Sequence, residues 1–173
     1  MIIVYTGDGK GKTSAALGTV LRASGYHNKT CIIQFIKDGT QYGEHHALEH
    51  GLKDFVDVYQ AGIGFYNLPG DEHSEIDHMK AAAEAMVFAK KKMKDKSYDI
   101  LVLDEIVTAM SVNLVQEEDV LTLIKKLPKK LHLILTGRGA SDSLIQVADL
   151  VTEMREIKHP FQKQEPAVEG IDF

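Results

Sequence analysis

The chain of 173 residues has one cysteine, four prolines and no tryptophan. The lone Cys31 cannot close an internal disulfide. Set in an apolar run, it reads as a small buried hydrophobe in a reducing compartment. No apolar stretch is long enough to span a membrane. Positive charge is not in excess either: 20 Lys and Arg stand against 25 Asp and Glu, a net charge of −5. That balance argues against a nucleic-acid binder, which needs a basic face to neutralise phosphates. A small anionic ligand needs only a local positive site and remains compatible. The first strand-like run begins at Ile2, so no signal peptide is expected and a cytoplasmic protein follows. There is no internal repeat, low-complexity segment or interdomain linker, and one domain over residues 1–173 is the expectation. No placing of His, Ser or Cys suggests a nucleophilic triad; His73, His78 and His159 stand isolated.

What is present is ordinary in bulk, with 44% hydrophobic and 26% charged residues, and informative in pattern. Strand-like apolar runs recur at Ile2–Tyr5, Thr30–Phe35, Phe55–Tyr59, Ile100–Leu103, Leu131–Leu135 and Leu150–Thr152. Helical patterns separate most of them. Continuous Ile, Val and Leu runs suit a parallel sheet covered on both faces, so a doubly wound α/β fold is expected. The clearest helix spans roughly Glu72–Lys94, its Lys-rich end suited to the helix dipole. A two-helix connection is expected from Glu105 to Lys126, breaking near Asn113-Leu114. Residues 37–44 and 60–70 read as irregular loops at the carboxyl edge of the sheet, where open α/β sheets bind ligands. Residues 158–173, with two of the four prolines, read as a loosely packed tail.

The most specific stretch is Thr6-Gly7-Asp8-Gly9-Lys10-Gly11-Lys12-Thr13, between the first strand and a helix-like run from Ser14. Glycines let backbone N–H groups turn onto phosphate oxygens at a helix start. Gly7, Asp8, Gly9, Lys10, Gly11, Lys12, Thr13 and Ser14 are therefore candidate nucleotide-binding residues, with Lys12 a point charge and Thr13 a magnesium ligand. The loop departs from the common pattern: Thr6 stands where a Gly is usual, and the loop instead has Gly at 7, 9 and 11, with an extra Lys10. Ile100-Leu101-Val102-Leu103-Asp104-Glu105 reads as a buried strand tipped by carboxylates. Such a tip holds magnesium in phosphate-loop proteins, and Asp104 and Glu105 are both candidates. Thr136-Gly137-Arg138-Gly139 would turn tightly and aim the Arg138 guanidinium at phosphate. His46-Ala47-Leu48-Glu49-His50 fits a zinc-protease pattern, but no third ligand is signalled, and a solvated helix face is the better account.

The glycine loop is followed, in order, by Gln34-Phe35-Ile36-Lys37, Gly43-Glu44, Gly64-Phe65, Val102-Leu103-Asp104-Glu105, Thr136-Gly137-Arg138-Gly139, Ala148-Asp149-Leu150-Val151-Thr152-Glu153, Lys158-His159-Pro160-Phe161 and Gly170-Ile171-Asp172-Phe173. This ordered set, covering essentially the whole chain, resembles the ATP:corrinoid adenosyltransferases of the cobalamin pathway. The resemblance implies a phosphate-loop, RecA-like fold and transfer of the 5′-deoxyadenosyl group of ATP to cobalt(I) of a corrinoid, with release of triphosphate. It implies ATP and a reduced corrinoid as substrates, Mg2+ held by Thr13, Asp104 and Glu105, a cobalt-reducing flavoprotein as a partner, and a homodimer. Lys12 and Arg138 would stabilise the leaving triphosphate. Phe65 matches an aromatic residue that, in the family, presses on the corrinoid's lower face. A second family aromatic, commonly Trp, aligns with Asn67, with Tyr66 beside it. Family members often carry an N-terminal extension over the site, and this chain is expected to close it with another segment such as the C-terminal tail. A γ-phosphate-transferring ATPase or kinase, and a non-catalytic nucleotide- or corrinoid-binding regulator, are the alternatives.

Overall fold

A computed structural model of the chain describes residues 1–64, 66–67 and 70–171. Six parallel strands form one sheet: β1 (Ile2–Thr6), β2 (Thr30–Gln34), β3 (Val56–Gln60), β4 (Ile100–Asp104), β5 (His132–Thr136) and β6 (Leu150–Glu153), in spatial order β3-β2-β4-β5-β1-β6. The helices between them are α1 (Lys12–Ser24), α2 (Gly43–Gly51), α3 (Glu75–Lys92), α4 (Ile106–Ser111), α5 (Glu117–Lys125) and α6 (Asp142–Val147).

All six expected strands form, because a parallel sheet between two helical layers buries near-continuous apolar runs. Successive side chains point to opposite faces, and that alternation sorts the core into two halves. Ile3, Ile32, Val102 and Ile134 face Ala16, Val20 and Leu48 of α1 and α2. Val4, Ile33, Leu101, Leu103, Leu133 and Leu135 face the layer of α3, α4 and α5, with Ala85, Met86, Ile106, Val107 and Leu123. The sixth strand differs from expectation. Leu150 and Val151 are exposed, because β6 lies at the edge beside β1.

The expected long helix is shorter at both ends. Ser74 caps α3, its hydroxyl accepting from the Asp77 N–H while the Asp77 carboxylate accepts from the Ser74 N–H. This reciprocal pair satisfies two otherwise orphaned donors and fixes the start. The expected two-helix connection is present, its break at residues 112–116 carrying Asn113 at φ 61. Residues 37–42 are irregular as expected, but Gly43 and Glu44 already belong to α2. Residues 158–171 are mostly exposed, with one 3₁₀ turn at Pro160–Lys163.

Two consequences of strand order place the site. The glycine loop leaves the carboxyl end of β1, and β5 alone separates β1 from β4. The tips of β1, β5 and β4 therefore lie side by side, and Thr6, Thr136 and Asp104 end neighbouring strands. Leu103, fully buried in β4, anchors that arrangement. Leu103→Ala should cost about 2–5 kcal/mol by lost burial and a residual cavity, measured by urea denaturation. The exposed Leu21→Ala should change stability by less than about 0.5 kcal/mol.

Candidate functional site

Residues 7–11 turn from β1 into α1. The helix starts at Lys12 behind Gly11, which sits at φ 109, a conformation that glycine adopts without a Cβ clash. The loop is braced from outside. Met154 N–H donates to the Thr6 carbonyl at 2.8 Å, and Gly9 N–H donates to the Met154 carbonyl at 2.7 Å. A Cβ on Gly7 would lie 2.4 Å from the Met154 oxygen, so this glycine is demanded by close backbone approach. The unusual Thr6 is accounted for as well. It is buried, and its Oγ1 accepts from the Ala140 N–H at 3.2 Å. That side chain points to the turn after β5 and leaves the loop amides clear.

Lys12 is 6% exposed and folds back on its own loop, Nζ donating to the Gly7 and Gly9 carbonyls at 2.8 Å each. Burial lowers its pKa; the Arg138 charge adds to that, and Glu105, Asp8 and Asp104 oppose it. Asp8, Lys10 and Ser14 are exposed. Thr13 Oγ1 donates to Asp104 Oδ1 at 2.9 Å, which joins the helix start to the tip of β4. Asp104 is 1% exposed. Its Oδ1 also accepts from Thr136 Oγ1 at 2.7 Å, and its Oδ2 accepts from Gln34 Nε2 at 3.3 Å.

Glu105 follows in a left-handed conformation, φ 61, rare for a residue with a Cβ and costing about 1–3 kcal/mol. Its N–H donates to Thr136 Oγ1 at 2.9 Å, and Thr108 Oγ1 donates to its carboxylate. The side chain faces the same cleft as Lys12. Burial pushes the Glu105 carboxyl above its ordinary range, with the Thr108 bond opposing. Gly137, at φ 136, lets the turn after β5 pack against α4: a Cβ there would lie 2.3 Å from the Thr108 nitrogen. Arg138 N–H donates to Thr108 Oγ1 at 2.9 Å. Its side chain is exposed and is not among the residues lining the cleft, although its charge acts on Lys12 and Glu105.

These elements enclose an open cleft of about 530 Å³, lined by residues 10–14, Leu17, Lys37, Gly43, Glu44, Glu105, Gly170 and Ile171. That volume is in the range of small-molecule sites. Lys37 Nζ lies 2.5 Å from Glu44 Oε1 and 4.7 Å from the Tyr42 ring centre. Burial pushes the Glu44 carboxyl up, the Lys37 bond pulls it down, and the net shift is downward. Among the described residues, no His or Cys lines the cleft. Hard oxygens at Thr13 and Asp104, 2.9 Å apart, fit a magnesium ion, with Glu105 on the same cleft. Among the described residues no three His, Cys, Asp or Glu side chains stand together as a metal cage. Magnesium does not ask for one, since it binds through one or two protein groups, waters and substrate phosphates. His46, Glu49 and His50 lie exposed on α2, where His50 Nδ1 bonds the His46 carbonyl at 2.7 Å.

Phe65 lies outside the described residues. Asn67 and His73 are tied to Asp71. Asp71 accepts from the Asn67 and His73 N–H groups at 2.9 and 3.0 Å, and His78 Nε2, on α3, donates to both its oxygens at 3.1 Å. Tyr66 stacks edge-on against His78 at 5.3 Å. Sequence reasoning left His78 without a partner, because the seven-residue separation from Asp71 crosses a helix cap. Gln34, His45 and Thr136 also had no site role from sequence, each being one polar residue at the end of a strand or inside a helix. The order of strands alone brings Gln34 and Thr136 to either side of Asp104.

A strand, glycine loop and helix whose Lys and Thr meet a carboxylate across one intervening strand define a phosphate-loop nucleotide-binding protein. The model of the family described as ATP:corrinoid adenosyltransferase BtuR/CobO/CobP matches residues 1–173, and the chain belongs to that family. It is 36% identical to a corrinoid adenosyltransferase of Sinorhizobium sp. over 174 residues, covering 100% of this chain and 80% of that one. It is also 36% identical to one of Escherichia coli K12, covering 100% and 85%, and 34% identical to corrinoid adenosyltransferase CobA of Salmonella typhimurium, covering 100% and 85%. Among solved structures, flagellar accessory protein FlaH of Methanocaldococcus jannaschii superposes with a TM-score of 0.54 at 14% identity, over 88% of this chain and 69% of that one. That likeness concerns the fold. Among the described residues no helix is long and apolar enough to cross a membrane.

The Asp71–His78 pin yields a pH prediction. Hydrogen bonds from His78 and from two backbone amides hold the Asp71 carboxyl down at about 2. A depressed carboxylate stabilises the fold above its unfolded pKa, near 3.8, and that contribution is lost as pH falls toward about 2. The difference in thermal stability between the parent and Asp71→Asn should therefore be level from neutral pH down to the ordinary carboxylate range and shrink below it. A difference that ignores pH would contradict the pin.

Proposed function

We propose that the protein transfers the 5′-deoxyadenosyl group of ATP to cobalt(I) of a corrinoid and releases triphosphate. The match of the family model to residues 1–173 carries this reading, and the cleft supports it chemically. Cobalt(I) brings its own electron pair, so the protein needs neither a nucleophile nor a general base. The cleft, lined by Lys10, Lys12, Lys37, Glu44 and Glu105 with no His or Cys among the described residues, is equipped for charge and position instead.

The pair on cobalt forms the Co–C5′ bond as the C5′–O bond breaks, and the departing pair stays on the triphosphate. The chain's residues have two tasks in that step. They hold C5′ in line with the attacking metal, which converts an encounter into a near-unimolecular event. They also stabilise the charge that grows on the leaving group. The amides of residues 7–13, Lys10 and Lys12 would meet that charge, and Arg138 would approach from the turn after β5. Lys12 is placed for this because it donates to two loop carbonyls, which a phosphate oxygen replaces as the stronger, charge-assisted acceptor. Thr13 and Asp104, with Glu105, would hold Mg2+, which when bound neutralises triphosphate charge. Phe65 is proposed, from the sequence resemblance, to press on the corrinoid face, and the tail residues Gly170 and Ile171 to border its entrance. The complementary copy of a homodimer and a flavoprotein reductant belong to the same reading, as does a cytoplasmic setting.

Incubation with Mg-ATP and a prereduced corrinoid without oxygen should yield intact triphosphate and a light-sensitive alkyl-cobalt product in equal amounts. Lys12→Ala should lower that turnover by about 10²–10³-fold while leaving the thermal melt near that of the parent. ADP formed without corrinoid would favour an ATPase or kinase, and tight binding without turnover a regulator.

A further inference from the structure

His45 is a buried titratable group that adenosyl transfer does not use. It lies on α2, 6% exposed, two residues beyond the Gly43 that borders the cleft. Its Nδ1 faces the Tyr42 N–H at 2.9 Å, and its Nε2 faces Gln34 Oε1 at 2.8 Å. Gln34 Nε2 in turn donates to Asp104 Oδ2 at 3.3 Å.

The polarity of this chain is fixed from both ends. A backbone N–H can only donate, so Nδ1 must carry a lone pair and the ring proton must sit on Nε2. Nε2–H then donates to Gln34 Oε1, which turns the Gln34 amide group toward Asp104. Asp104 Oδ2 accepts from that amide, so the far end agrees. A doubly protonated ring would set two donors face to face at Tyr42. Burial favours the neutral ring and lowers its pKa below 6.5; Lys37 and His46 add to that, while Glu44 and Asp104 oppose it. No other polarity satisfies all four groups.

We propose that Gln34 and His45 are positioning residues: they fix the plane of the Asp104 carboxylate from the amino end of α2, and so tie the first turn of α2, with Glu44 and its partner Lys37, to the metal-holding end of the cleft. With Oδ2 held by Gln34, Oδ1 is presented to Thr13 and Thr136. Without that hold the carboxylate turns about its Cβ–Cγ bond, and the oxygens at Thr13 and Asp104 lose their alignment. The inference rests on the proposed magnesium role of Thr13 and Asp104. A His that only caps α2 would stabilise the fold without distinguishing metal-bound from metal-free nucleotide.

The test is calorimetric binding of ATP to the full chain with and without Mg2+, together with the ring ¹⁵N resonances of His45. Gln34→Leu and His45→Leu should each weaken Mg-ATP binding about tenfold or more, while metal-free ATP binding stays within about twofold, the range typical of partners that orient metal ligands. His45→Gln, which keeps an N–H donor toward Gln34, should recover most of the loss. In the parent protein the resonances should report the Nε2–H tautomer at neutral pH and shift on adding Mg-ATP more than on adding ATP. Equal losses with and without Mg2+, no loss, no recovery in His45→Gln, or an Nδ1–H tautomer would each overturn the proposal. Because binding and tautomer are read without a corrinoid, a failed adenosyl transfer would count against the proposed function and leave this result standing.

Discussion

A carboxylate at the tip of a fully buried strand, itself 1% exposed, is costly to bury unless its oxygens have hydrogen-bond partners. Asp104 has them: hydroxyls from α1 and β5 on one oxygen, and an amide from β2 on the other. Most of the site's geometry follows from satisfying those two oxygens. Thr13 brings the start of α1 against β4, Thr136 joins β5 to both Asp104 and the Glu105 amide, and Gln34 carries the connection to α2. Neutral replacements could fill the same space, and buried polar networks of this kind often stabilise less than an apolar core. Their persistence here is consistent with a site that must present oxygens in a fixed direction.

The second constraint is how closely backbones approach around the loop. Gly7 and Gly9 lie against the end of β6, and Gly137 lies against α4, at distances that exclude a Cβ. The loop is therefore set by its surroundings as much as by its own sequence. Thr6 is tolerated where glycine is usual because its side chain points away, to Ala140. The departure from the common motif reads as a loop buttressed by the end of β6, with one hydroxyl tying it to the turn after β5.

Much of this was legible in the sequence. The six strands announced themselves through uninterrupted apolar runs, since burial on both faces leaves no position for alternation. The glycine loop, Lys12, Thr13 and Asp104 carry chemistry in their residue types and spacing, and the ordered motifs identified the family. Other parts were not readable. Gln34, His45 and Thr136 matter through strand order, which a linear pattern does not encode. The exposure of Leu150 and Val151 follows from an edge position that an apolar run cannot reveal. Helix α3 is shorter than its pattern because the Ser74 cap, a local pairing, overrides the flanking residues. The HxxEH run drew attention to His46 and His50, yet the neighbouring His45 is the buried one.

The central claim is that the loop cradles a leaving triphosphate and that the bond broken lies at the ribose end of ATP. The most direct measurement uses ATP carrying ¹⁸O at the 5′ bridging position, turned over with prereduced corrinoid and analysed by mass spectrometry. Attack at C5′ sends the label into the triphosphate and none into the nucleoside product. Label retained on the nucleoside would mean that a P–O bond had broken, and would contradict the account.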